Sequence, residues 1–204
     1  MSVLREWFGP SKEAVWQQLS EALGGQFIPK RGLRKPSMVR ARHLHWTIVI
    51  DTIKPSKQPS YTRIRANYLN SDSFFFRIFR RSLAASFRQA ARLGDGQDVI
   101  VGYPEFDDDF IIQGNDERKL QALFASPRLR QIISWQPEIY LQNIVDDSWV
   151  TDPWHEGQSE LVFRTPGIVT DLQQLRDLYD LFAELLDQLC RIGSAYENDP
   201  GLAG

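Results

Sequence analysis

Three histidines, a cluster of acids and one cysteine are the residues of this chain whose types invite chemistry. On a strand, His43 and His45 project from the same face, the geometry of two zinc ligands, and His155 is available as a third once the chain folds. A metal-assisted hydrolase built on them would take its acids from Asp107, Asp108 and Asp109. The spacing tells against this reading. There is no HExxH pair and no cysteine partner, so "HLH" reads first as part of a half-exposed strand. Calcium-binding loops space their acids alternately around a glycine at the sharp turn, and "PEFDDDFIIQGND", residues 104–116, does not. If Asp109 to Gly114 is extended, Asp107 and Asp109 point one way and Asp108 the other, while Asp116 is drawn to a helix start. The stretch therefore reads as a turn, a strand and a helix cap, and neither a metal ligand nor a cofactor is assigned.

Nucleophilic chemistry has no better footing. Cys190 follows Leu189 in a long helical pattern and reads as a packed thiol. No serine stands in a GxSxG elbow, and "GGQF" and "GDGQ" match neither phosphate-binding glycine pattern. No catalytic residue is assigned.

A surface remains. "YTRIRANYL" alternates Ile64, Ala66 and Tyr68 against Tyr61, Arg63, Arg65 and Asn67, and "FFFRIFR" alternates Phe74, Phe76 and Ile78 against Phe75, Arg77 and Phe79. Paired as an antiparallel unit across "NSDS", the two would present one apolar face and one face of Arg63, Arg65 and Arg77 with Tyr61, Phe75 and Phe79. Aromatics and arginines on a sheet are the ingredients of single-strand recognition, but the RNP consensus is missing and nucleic acid is disfavoured. A protein partner or an acidic contact within the molecule fits better. Charge reversal at Arg63 and Arg65 is expected to weaken a partner complex and leave folding intact. The acidic loop "DDSWVTDPWHEGQ" offers Trp149 and Trp154 as a second contact.

The elements that must position these residues are legible from periodicity. "GPSKEAVWQQLSEALGG" reads as a helix, with Pro10 in its first turn and Val15, Leu19, Ala22 and Leu23 on one face. "MVRARHLHWTIVID" reads as a long strand or a bulged pair, and "RRSLAASFRQAARLGDG" as a short basic helix. Short strands follow in "QDVIVG" and "DDFIIQG". Asn115 or Asp116 opens a helix over "NDERKLQALF", and Ser126 with Pro127 opens another over "SPRLRQII". "EIYLQNIV" and "SELVFRT" read as strands. Asp171 then caps a long core helix in which Leu175, Leu178, Phe182, Leu185, Leu189 and Ile192 step by three and four, widened by Leu172, Tyr179 and Leu186. The order implies an α+β fold, with antiparallel sheet packed by an N-terminal helix and a long C-terminal helix.

Composition sets the remaining bounds. At 204 residues, 42% hydrophobic and 25% charged, the chain is large and apolar enough to bury a core without staples. Its single cysteine excludes an internal disulfide. Arg5, Glu6, Lys12 and Glu13 interrupt the N-terminus where a signal peptide is apolar, and no segment approaches the length of a membrane span. A cytosolic protein without membrane insertion is implied. The charge of −2 conceals an asymmetry: residues 1–92 carry 17 Lys plus Arg against 5 Asp plus Glu, and residues 93–204 carry 7 against 21. Such halves attract one another, within a molecule or between molecules. One domain over residues 1–204 is expected, with an internal seam near 93–97.

The combination of "WTIVIDT", "YTRIRANYL", "PEFDDDFIIQGND" followed by "KLQALFASPRLRQII", and "LFAELLDQLCRIGSAYENDPG" resembles a family of conserved bacterial proteins defined as a domain of unknown function. The resemblance implies a bacterial cytosolic protein and brings no activity, cofactor or catalytic residue with it. Together these features point to a non-enzymatic protein-binding or assembly module whose partner is another protein or a second copy of itself. An enzyme using His43, His45 and His155 is the competing class. A phosphate- or nucleic-acid-binding protein using the basic N-terminal half is the third.

Overall fold

Four of the five described helices start at a short polar side chain. The computed structural model describes residues 11–30, 32, 36–55, 59–70, 72–83, 98–144 and 158–196. Ser11 accepts from the Ala14 amide and opens α1 (Lys12–Ala22), and Pro104 stands first in the short α2 (Pro104–Asp109). Asp116 accepts from Lys119 N to open α3 (Glu117–Leu123), Ser126 from Leu129 N to open α4 (Pro127–Trp135), and Asp171 from Gln174 N to open α5 (Leu172–Arg191). Each cap satisfies an amide that the first turn leaves without a helical partner. The three caps read from sequence at Asp116, Ser126 and Asp171 are thus in place.

Among the described residues, eight strands form one sheet: β1 (Gln26–Ile28), β2 (Met38–His43), β3 (Trp46–Ile53), β4 (Tyr61–Leu69), β5 (Phe76–Arg80), β6 (Phe110–Gly114), β7 (Tyr140–Ile144) and β8 (Gln158–Pro166). Their spatial order is β1-β2-β3-β4-β8-β7-β5-β6, and every pairing is antiparallel. "MVRARHLHWTIVID" is neither one long strand nor a bulged pair. It is a hairpin, closed by Leu44 and His45, with Leu44 at a φ of 51°. No strand forms over residues 98–103, although Val99 N donates to Ile112 O at 2.8 Å along the edge of β6. The basic helix expected from "RRSLAASFRQAARLGDG" falls mostly outside the described residues, which hold only the short 3₁₀ turn Arg81–Leu83.

The expected pairing of β4 with β5 does not occur, because β8 and β7 lie between them. Nine residues of β4 pair along β8, from Tyr61 opposite Pro166 to Leu69 opposite Gln158. The connection after β4 is gathered by Asn70, which donates to Phe74 O and Ser159 Oγ, both at 2.9 Å, and accepts from Phe74 N. Asn143 of β7 is fully buried; its amide donates to Phe74 O at 2.6 Å and to the Tyr68 hydroxyl at 3.0 Å, and accepts from Phe76 N. These side-chain bonds dock the start of β5 beside β7, and a buried amide so satisfied is costly to displace.

Alternation along the strands decides what lies inside. Ile48, Ile50, Ile64, Ala66, Tyr68, Phe76, Ile78, Leu141 and Phe163 share the inner face, and apolar residues of the five described helices join them in one cluster. Fully burying one such side chain, Phe182 of α5 for example, contributes roughly 1.5–3 kcal/mol. Trp16 is the anchor of α1: it is fully buried and its indole donates to Val169 O at 3.0 Å. The stripe read from sequence gave that place to Ala22, which is exposed. This is the α+β arrangement expected, an antiparallel sheet packed by an N-terminal helix and a long C-terminal one. After α5, Gly193 takes a φ of 72°, and Ala195 bridges back to Asn70.

The two electrically opposite halves are interleaved. Strand β4 belongs to the basic part of the chain and β8 to the acidic part. The polar seam near 93–97 lies outside the described residues.

Candidate functional site

The face of the sheet turned away from the helices carries the arginines. Register places Arg63 opposite both Asp51 of β3 and Arg164 of β8, and Arg65 opposite Val49 and Val162. Gln142 of β7 and Arg77 of β5 continue the second row to Gln113 of β6. Arg40 and Arg42 of β2 extend the face at its other side, opposite Val49 and Thr47. Arg63, Arg65 and Arg77 therefore do share one face, as expected, but β8 and β7 separate Arg77 from the other two.

Two carboxylates lie within this face. Asp51 and Glu160 have side chains only 3% and 4% exposed. Arg63 clamps Asp51 through two parallel hydrogen bonds, Nε to Oδ1 at 2.9 Å and Nη2 to Oδ2 at 2.6 Å. Arg65 donates to Glu160 Oε1 at 3.2 Å and lies 3.6 Å from Asp51. Burial works against the charge on Arg63, but the hydrogen bonds and the negative charge of Asp51 outweigh it and hold its pKa above the ordinary arginine value. Removing one partner of a buried pair strands the other charge. The expectation that Arg63 and Arg65 can be reversed without harm to folding is therefore overturned: a glutamate at Arg63 would face a buried aspartate.

Aromatic residues on this face are less available than their spacing suggested. Phe79 is 1% exposed and packs with Ile111 and Tyr140 in a small second cluster to which no described helix contributes. It offers no stacking platform, contrary to the sequence reading. Phe75 is half-buried; its amide donates to Asn115 Oδ1 and its carbonyl accepts from Asn115 N. Tyr61, half-buried, stands at the end of β4 opposite Pro166. Arg77 donates to Gln113 Oε1, and Gln113 in turn to Asp98. Burial raises the Tyr140 pKa, while the nearby charges of Arg77 and Arg164 oppose the rise. Trp149 and Trp154 lie outside the described residues.

Three residues of this face escaped the sequence reading. Arg40 and Arg42 are exposed, and neither forms an ion pair with any described residue. Arg164 is the third. The signals were present: alternation in "MVRARH" puts both arginines on one side of β2, and alternation in "SELVFRT" puts Glu160, Val162 and Arg164 together on β8.

The geometry expected for a histidine pair is not formed. His43 ends β2, with Nε2 2.8 Å from Asp187 Oδ1 of α5 and its ring stacked on Trp46, whereas His45 sits exposed in the hairpin turn. A turn between the two breaks the strand alternation that would have aligned them. His155 lies outside the described residues, among which no group of three or more His, Cys, Asp and Glu residues converges.

The aspartate run resolves differently from its extended reading, because residues 104–109 are helical and the alternation of Asp107 with Asp108 does not apply. Asp107 is nearly buried and accepts three backbone amides, from Val101, Gly102 and Tyr103, at 2.9, 3.0 and 2.9 Å. Asp109 reaches Arg80 at 3.4 Å, and Arg81 donates to the carbonyls of Asp107, Asp108 and Phe110. The run thus joins a basic strand end to an acidic helix within one molecule.

No family model and no curated protein sequence matches the chain. Among solved structures, the chain is similar to the crystal structure of the mycobacterial trehalose monomycolate transport factor A, with a TM-score of 0.53 at 11% identity, over 89% of this chain and 95% of that one. Identity this low shows a shared fold alone. Among the described residues, no helix is long and apolar enough to cross a membrane.

Proposed function

We propose that this chain is a non-enzymatic protein-binding or assembly module of a bacterial cytosol, belonging to the conserved family its motifs resemble. The outer sheet face is its recognition surface, and the acidic Trp149/Trp154 loop a second contact. One observation carries the reading: that face presents Arg40, Arg42, Arg63, Arg65, Arg77 and Arg164, and among the described residues of its strands only Asp51 and Glu160 are built into it as counter-charges. An excess of guanidinium groups on a flat face steers acidic partners and fixes their orientation. The fold shared with a protein named as a transport factor supports an accessory role over a catalytic one.

Arg40 and Arg42 are the positions for a test, since both are exposed and neither supports a buried carboxylate. Tagged full-length protein and the Arg40→Glu/Arg42→Glu variant are cross-linked in the cells that encode them, and bound proteins are compared. The variant is expected to keep its circular dichroism and melting temperature and to lose most of a partner captured by the wild type. Undiminished capture would remove this face from the proposal. Gel filtration at several concentrations separates a foreign partner from a second copy.

A further inference from the structure

Arg164, like the exposed Arg40 and Arg42, forms no ion pair with any described residue. It stands on β8, near the middle of the sheet, with Arg63 directly opposite on β4. Like charges so placed repel. Asp51 neutralises Arg63, and Arg65 is shared between Asp51 and Glu160. Arg164 is half-buried and forms no hydrogen bond with any described residue; its Nε, like that of Arg65, is shut off from water, so its terminal Nη groups are what it presents to an acceptor. A guanidinium whose charge is left uncompensated, with its terminal N–H groups accessible, is suited to an anionic group brought by a partner.

The surroundings restrict what that acceptor is. One positive charge is uncompensated in this row, which calls for a monoanion. Asp51 and Glu160 in the same face repel a dianion such as phosphate. The neighbouring forks of Arg63 and Arg65 already hold carboxylates on this pleated surface, so the spacing suits that group. Apolar surface adjoins the charge: two residues along β8, Pro166 is exposed opposite half-buried Tyr61, and Ile168 beyond it is 46% exposed.

We infer that Arg164 receives a carboxylate side chain from an acidic peptide segment of the partner, laid over β8 with an apolar neighbour against Tyr61 and Pro166. The inference rests on the binding function proposed above and names the group which that face recognises. Arg164 supplies the planar fork, and Tyr61 with Pro166 the apolar seat that a free small anion would not use.

A labelled, capped peptide of alternating Val and Glu, titrated into the full chain and followed by fluorescence anisotropy, tests this. The Val/Gln peptide is the control, and acetate, a monocarboxylate, and inorganic phosphate at matched ionic strength are the competitors. The wild type is expected to bind the Val/Glu peptide and not the Val/Gln one, with acetate competing better than phosphate. Arg164→Gln is expected to weaken binding by about tenfold or more, while its melting temperature stays level or rises because two opposed like charges have been separated. Arg40→Gln is expected to change affinity by no more than about twofold. Equal binding by wild type and Arg164→Gln overturns the inference, as does phosphate competing as well as acetate. If binding survives Arg164→Gln but is lost in the Arg40→Glu/Arg42→Glu variant, the inference fails and the broader function stands. If neither change matters, both fail.

Discussion

Asp107, Asp108 and Asp109 are chemically identical neighbours, and the structure gives them different energetic roles. Asp107 accepts from three successive backbone amides, of which Val101 N is buried and the other two partly so. Hydrogen bonds to a charged group contribute about 1.5–3 kcal/mol each, and water reclaims part of the loss where it can enter. Asp107→Ala is therefore expected to cost about 3–5 kcal/mol, the fully orphaned Val101 donor setting the lower bound. Asp107→Asn keeps one acceptor oxygen and is expected to lose about half of that. Asp108 is exposed and Asp109 is 60% exposed with a 3.4 Å contact to Arg80, so each alanine variant is expected to cost no more than about 1 kcal/mol.

Urea unfolding followed by tryptophan fluorescence reads these differences directly. A fall in midpoint at unchanged slope reports lost stability and not a changed denatured state. A loss of 3–5 kcal/mol is a large part of the roughly 5–15 kcal/mol available to a domain, so Asp107→Ala is expected to begin unfolding at low urea. The reasoning is refuted if all three alanine variants unfold alike. It is refuted equally if Asp107→Ala matches wild type, because the amides would then need no carboxylate. Adding calcium, magnesium or zinc is expected to shift none of the variants relative to wild type; a metal-dependent shift confined to the wild type would restore the cation-site reading.

Three further outcomes follow from the packing. Arg63→Met alone, which leaves Asp51 buried with only the 3.6 Å contact to Arg65, is expected to cost about 3 kcal/mol, and Arg63→Met/Asp51→Leu to recover part of it; additivity in that double-mutant cycle would sink the pairing. Gly114→Ala is expected to abolish stable folding or shift β6, since a Cβ there would stand 2.4 Å from the backbone oxygen of Phe75, whereas Gly24→Ala meets no neighbouring atom and pays only for its φ of 60°. Burial raises the Tyr68 pKa above its model-peptide value of 10, opposed by its hydrogen bonds to Asn143 and Ser159. The folded state thus keeps a proton that the unfolded chain releases above about pH 10, so stability falls as pH rises past that point. Tyr68→Phe should flatten the alkaline limb of a stability curve, and an unchanged limb would contradict the assignment.

Much of the local structure follows from nearest neighbours in sequence. Side chains of Asp116, Ser126 and Asp171 reach amides only three residues away, so their caps need no tertiary information. The stripe of α5 and the alternation of β4 are similarly local, because the period of a helix or strand fixes which residues share a side. That is why the arginine face of β4 and the core face opposite are both legible, and why the strand and the Asp116 cap within "PEFDDDFIIQGND" are legible too. Its helical turn was missed, since what holds residues 104–109 is a carboxylate closing on amides upstream of it.

Other features belong to the tertiary structure alone. Strand order is a matter of long-range pairing, and two buried amides, Asn70 and Asn143, draw β5 away from β4 and set it beside β7. The neutralisation of Arg63 and Arg65 by Asp51 and Glu160 depends on cross-strand register, as does the opposition of Arg63 to Arg164. Alternation says which way a side chain points; only the neighbouring strand decides whether a guanidinium meets a carboxylate, another guanidinium or a partner.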